Sequence, residues 1–172
     1  MNTLLFDFDD TLAEFSQAFY DKFGVRPEGT PKERYDEMAA SLVRTDFYKN
    51  LPRIQAGIDL LQWSFQRRIG DPATLLLRAE AVSPLWVMKE KLNYTDKICA
   101  ELGIPRLDFS RIDYPEQFAE HAYRGVLISR NQKHLEIWNN SHLANKVPGI
   151  FLAETLEENI QLVTEALAKA NQ

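Results

Sequence analysis

The chain is poor in the residues that build several common kinds of site. It has a single cysteine, Cys99, in 172 residues, which excludes an intrachain disulfide framework and fits a reducing compartment. Its three histidines, His121, His134 and His142, do not cluster at ligand spacing and no Cys-x-x-Cys is present, so no zinc site is expected. No glycine-rich phosphate loop of the nucleotide-kinase type occurs, and Gly103 reads as a helix stop. No run reaches the ~18 apolar residues that a spanning helix needs. No basic region followed by an apolar core opens the chain, so no signal peptide is expected. These readings point to a cytoplasmic protein without a membrane partner. Basic residues are outnumbered, giving a net charge of −5, which argues against a nucleic-acid polymer as partner. A single small phosphate in a local cationic pocket stays compatible with that charge. The oligomeric state is not readable.

What is present is ordinary globular material. Hydrophobic residues make up 45% and charged residues 26%, enough for one domain with a developed core and a small insertion. Apolar runs at 3–8, 74–77, 125–129 and 149–152 read as strands. Helix-period stretches fall near 13–23, 31–43, 53–69, 84–102, 132–139 and 154–169. Such alternation predicts an α/β fold with a mostly parallel sheet. Ligands of these folds bind at the carboxyl ends of the strands.

The segment 13–51 is too long for one crossover helix. Gly24, Pro27, Gly29 and Pro31 interrupt it, so it reads as two helices joined by a turn. Its rings, including Phe15, Phe19 and Phe23 at four-residue spacing, fall on one helix face. They are expected to pack as core rather than to stack on a ligand.

The chemistry concentrates in Leu4-Leu5-Phe6-Asp7-Phe8-Asp9-Asp10-Thr11-Leu12. An apolar strand here runs into three carboxylates. Carboxylates at the end of a buried strand are costly unless something cationic compensates them. Mg²⁺, a hard ion that takes one or two carboxylates and a phosphate oxygen, is the expected candidate. A bland alternative is a strand-to-helix turn in which Asp9, Asp10 or Thr11 caps the next helix.

The Asp-x-Asp-x-Thr pattern after an apolar strand resembles the first motif of the haloacid-dehalogenase-like (HAD) phosphatase superfamily. Asp7 through Phe15, with Phe19 and Phe23 following, is similar to the start of its 5′(3′)-deoxyribonucleotidase branch. Phe47-Tyr48-Lys49-Asn50-Leu51-Pro52, then Gly57 and Leu60-Leu61, is similar to that branch's return from cap to core. The resemblance implies a three-layer Rossmann-like fold, with a core of 1–12 and 52–172 and a helical cap of 13–51. It implies Mg²⁺-dependent phosphomonoester hydrolysis of a small phosphorylated substrate, pointing to nucleoside monophosphates. Asp7 would be the nucleophile and Asp9 the acid and base, both holding the metal. Thr11 would hold the loop and the phosphate.

The remaining motifs are uneven. Ser83 is the candidate second-motif hydroxyl for phosphate; it reads equally as the N-cap of a helix with Pro84 at the first position. Lys91, before Lys97 and Lys89, is the candidate cation beside the aspartates. At the fourth motif, where relatives carry Asp-Asp, the chain has Ser129-Arg130. This swap removes two carboxylates and adds a fixed charge. Arg130 could grip a phosphate, pair with Asp7 and Asp9, or face solvent. Glu80, Asp113 or Glu154 could replace the lost ligand, and nothing in the sequence selects one. Two function classes follow: a HAD-like phosphatase with an incomplete metal site, or a catalytically impaired HAD-like domain that binds a ligand or a protein.

Overall fold

A computed structural model describes residues 3–69, 71–142 and 147–170. Residues 1–2, 70, 143–146 and 171–172, which the sequence reading assigned to the core, lie outside the described residues. Five strands form one sheet: β1 (Thr3–Asp7), β2 (Thr74–Arg78), β3 (Asp108–Ile112), β4 (Gly125–Ser129) and β5 (Ile150–Phe151). Their order is β3-β2-β1-β4-β5 and every pairing is parallel. The helices are α1 (Phe15–Phe23), α2 (Lys32–Leu42), α3 (Gln55–Gln66), α4 (Pro84–Leu102), α5 (Gln132–Asn139) and α6 (Leu156–Ala170). The architecture is α/β and Rossmann-like.

Alternation along the strands builds two cores. Leu4, Phe6, Leu75, Leu77, Val126 and Ile128 point to one face, where they meet apolar residues of α1 to α4 and α6. Leu5, Leu76 and Leu127 point to the other, where Phe118 of a 3-10 segment, Pro115–His121, and Ala122 just after it join Leu135 and Trp138 of α5. Burial on both faces explains why these strands read as unbroken apolar runs. α1 and α2 lie between β1 and α3 in the chain, with a 3-10 turn, Pro27–Gly29, between them. Phe15, Phe19, Phe47 and Tyr48 pack ring on ring within the larger core, as the aromatic spacing predicts.

One strand escaped the sequence reading. In β3, Asp-Phe-Ser-Arg-Ile, only Ile112 is buried. It is an edge strand paired on one side to β2, so it carries no apolar run to betray it.

β1 is central, and the chain runs from it to β2 on one side and returns at β4 on the other. Their carboxyl ends form the switch point at which such sheets bind ligands. The loop leaving β1 is fixed from outside. Glu14 N–H donates to Pro52 O (2.9 Å) and Ile54 N–H to Leu12 O (3.0 Å). Gly57 of α3 sits directly on the Thr11 carbonyl: a Cβ there would lie 2.0 Å from that oxygen. Gly57→Ala should therefore push α3 from the loop and cost about 3 kcal/mol, read as a lowered urea midpoint.

Candidate active site

Asp7 ends β1 and is fully buried. It lies on the α5 side of the sheet, since it alternates with Phe6. The β1–β4 register pairs Phe6 with Ile128, bringing the next residues, Asp7 and Ser129, together. The Ser129 hydroxyl donates to Asp7 Oδ2 at 2.9 Å and accepts the Asn131 N–H at 2.9 Å. Asn131 caps α5 by accepting the His134 N–H (3.2 Å). That cap aims His134 back across the strand ends, where its Nδ1 lies 2.7 Å from Asp7 Oδ2. A carboxylate can only accept, so Nδ1 carries the proton of this bond. The imidazole stacks on Phe118 with ring centroids 4.1 Å apart.

Asp9 is tied to the opposite layer. Its Oδ2 accepts from Lys91 Nζ of α4 at 3.0 Å. Lys91 is wholly buried; it also donates to Arg78 O at 2.8 Å and lies 5.5 Å from the Phe8 ring centroid. Of three candidate lysines, the helix register selects Lys91. Each carboxylate has one oxygen engaged, while Asp7 Oδ1 and Asp9 Oδ1 are buried without a hydrogen-bond partner.

The other candidates fall elsewhere. Thr11 is buried, and its hydroxyl donates to Asp9 O (3.4 Å) and accepts from Arg130 N–H (3.3 Å), so it holds the loop to the β4 turn. Ser83 is exposed in a left-handed conformation (φ 48°), and its hydroxyl makes no capping bond although Pro84 opens α4. Arg130 neither reaches the aspartates nor faces free solvent. Its guanidinium donates to Leu152 O (3.0 Å) and Ala153 O (3.3 Å) and pairs with Glu154 (3.2 Å). Because side chains alternate at a strand end, Ser129 takes the side facing Asp7 and Arg130 the other. Both expectations of a phosphate contact, at Ser83 and at Arg130, are corrected accordingly. Of the alternatives open to Arg130, pairing with Asp7 and Asp9 is not the one taken: Lys91 pairs with Asp9 and the His134 ring N–H donates to Asp7.

A cleft of about 320 Å³ opens over these groups, between the helices that follow β1 and the strand ends. Asp9, Asp10, Glu80, Tyr35, Lys133 and His134 are among its walls. Glu80 accepts from the Tyr35 hydroxyl (2.8 Å), and burial, opposed by Lys91, raises its carboxyl above the usual range. A larger cleft of about 510 Å³ lies between residues 44–53 and α4. None of Asp7, Asp9, Lys91 and His134 lines it, and we assign the chemistry to the smaller one.

Asp10 (φ 57°) closes the loop. Ser16 Oγ contacts both its carboxyl and that of Glu28 (2.9 Å). One hydroxyl proton cannot serve two carboxylates, so a carboxyl must supply the second. Burial raises Asp10 from 3.8 to about 6, Ser16 opposing and Asp9 and Glu28 adding to the rise. The folded state thus holds this proton more tightly than the unfolded chain. Its stabilisation is complete below pH ~4 and fades as pH rises through about 6, by up to about 3 kcal/mol. Urea midpoints between pH 4 and 7 should show this slope, and Asp10→Asn should flatten it.

Mg²⁺ demands oxygen ligands in near-octahedral geometry. Asp7 Oδ2 is taken by Ser129 and His134, Asp9 Oδ2 by Lys91 and the Asp9 carbonyl by Thr11. Among the described residues no three His, Cys, Asp or Glu side chains gather as a metal group. Among these groups Asp7 Oδ1 and Asp9 Oδ1 alone are left open, too few oxygens to hold a resident Mg²⁺ by themselves. Also among the described residues, no helix is long and apolar enough to cross a membrane. Compared with known proteins, the chain matches no family model, no curated protein and no solved structure.

Proposed function

We propose that the chain is a HAD-like phosphatase that hydrolyses a small phosphomonoester through an aspartyl-phosphate on Asp7. The observation that carries this reading is the matched state of the two carboxylates, each with one oxygen anchored and one buried oxygen unpartnered. Asp7 Oδ1 attacks phosphorus while the ester oxygen leaves with a proton that the monoanionic substrate phosphate brings to Asp9 Oδ1. Water then attacks the phosphorus of the acyl phosphate and gives its proton to Asp9, which releases phosphate and restores Asp7. Lys91 supplies positive charge, and His134 a ring hydrogen-bond donor, beside the transferring phosphoryl group. Phe15 and Tyr35 line the cleft that would receive a nucleoside monophosphate.

A second reading, a ligand-binding domain without turnover, is favoured by one observation. Asp7 is 0% exposed and is not on the cleft wall, so attack requires the site to open. Phosphate release from a panel of deoxy- and ribonucleoside monophosphates separates the two. Release above that of Asp7→Asn supports the enzyme. Calorimetric binding of the same compounds without release supports the second reading.

A further inference from the structure

The strand ends hold a cation that no carboxylate of the cleft engages. β2 closes on Arg78, the one charged residue in its Thr-Leu-Leu-Leu-Arg sequence. The β1–β2 register sets Asp7 against Leu76. Strand alternation turns Arg78, two residues on, to the face that Leu76 shares with Leu5 and Asp7. Neighbouring strands lie about 4.8 Å apart and each residue advances about 3.3 Å, so the Cα atoms of Asp7 and Arg78 are separated by about 8 Å. Arg78 is half-buried and lines the same cleft as Asp9 and His134.

We infer that Arg78 is the anion grip of this site, its guanidinium taking two non-bridging oxygens of the substrate's phosphoryl group.

One part of the guanidinium is fixed and the rest is open. Nη1 donates to Ala79 O (3.1 Å), to Ile112 O (3.2 Å) and to Asp113 O. These carbonyls sit where β2 and β3 end, so backbone rather than a flexible side chain holds the group. Among the described residues Nε and Nη2 donate to no protein atom, and no carboxylate forms an ion pair with Arg78. The acids of the cleft have other partners: Asp9 bonds to Lys91, Asp10 and Glu28 to Ser16, and Glu80 to Tyr35. A half-buried charge without a counter-ion is unfavourable, and a bound anion offsets that cost. The open Nε–H and Nη2–H form the planar two-donor fork that matches two oxygens of a phosphoryl group. Fixing Nη1 in advance reduces the freedom lost on binding. The backbone of Arg78 is held as well, since its carbonyl accepts from Lys91 Nζ at 2.8 Å. One residue thus carries the fork and positions the cation that pairs with Asp9.

The inference rests on the proposed function for the reaction that follows binding, and its test reads binding by itself. Inorganic phosphate is titrated calorimetrically into the full chain and into Arg78→Lys and Arg78→Gln. Lysine keeps the charge and loses the fork; glutamine keeps a donor for the carbonyls and loses the charge. Binding to the wild-type chain should be saturable, and either variant should bind phosphate at least about tenfold more weakly. The Arg78 Nε–H resonance of the wild-type chain should shift on the same titration and saturate at the calorimetric Kd. That measurement needs no substitution, so it covers the event that a variant fails to fold. No saturable phosphate binding to the wild-type chain, equal affinity in all three proteins, or an Nε–H resonance that phosphate leaves unmoved would each overturn the inference. Arg78-dependent phosphate binding without release from any nucleoside monophosphate counts against the enzyme reading and leaves the grip in place. Release that Arg78→Lys leaves unchanged does the reverse.

Discussion

Lys91→Met should destabilise the fold by about 3 kcal/mol and abolish turnover. Its ammonium is wholly buried and makes two hydrogen bonds, to Asp9 and to the Arg78 carbonyl. Methionine fills nearly the same volume, so little packing is lost. What remains is a carboxylate only 13% exposed, now without its cation. Removing one partner of a buried pair costs about 3–5 kcal/mol, and the slight exposure of Asp9 places this case at the lower end. Glu80 also loses an opposing charge. Urea denaturation of Lys91→Met, Asp9→Asn and the double variant forms a closed cycle. Most of the loss should be recovered in the double variant, because the uncompensated charge is then gone. An additive cycle would place Lys91 in packing alone and remove it from the site.

Much of this fold is legible in the sequence because burial on both sheet faces writes itself as apolar runs. β1, β2 and β4 follow directly from them, and the Pro84 and Gly103 boundaries delimit α4. The Gly24 stop is legible for the same reason: a left-handed residue (φ 73°) ends α1. β3 is not legible, since its pairing to β2 is made by backbone and its side chains are mostly exposed.

The site divides along a different line. The Asp7–Asp9 pair is local and stands out in any reading. Lys91 is one of three lysines in its helical region, and only a structure decides that it faces Asp9 across 82 positions. His134 is not legible from ligand spacing, because its partner Asp7 lies 127 residues away in the chain. A signal was present: Asn131 before a helical pattern, with His134 three residues on, predicts a capped first turn at the end of β4. Such a turn sets the histidine at the strand ends beside β1. Arg130 drew attention instead because its charge was the conspicuous departure, although strand alternation turns it from Asp7.

Asp7→Asn should lower phosphate release by at least about 10³-fold while leaving the protein folded. An amide oxygen cannot form the acyl phosphate, so about 4 kcal/mol or more of transition-state stabilisation is lost. Stability should change by no more than about 1–2 kcal/mol, because the Asn carbonyl can still accept from Ser129 and from His134 Nδ1. The paired measurement is a steady-state rate for phosphate release and a urea curve on the same preparation. A large loss of rate with an unshifted midpoint identifies Asp7 as the reacting group. An equal rate in both proteins assigns any observed release to another group or to a contaminant, and leaves Asp7 a structural anchor between β1, β4 and α5.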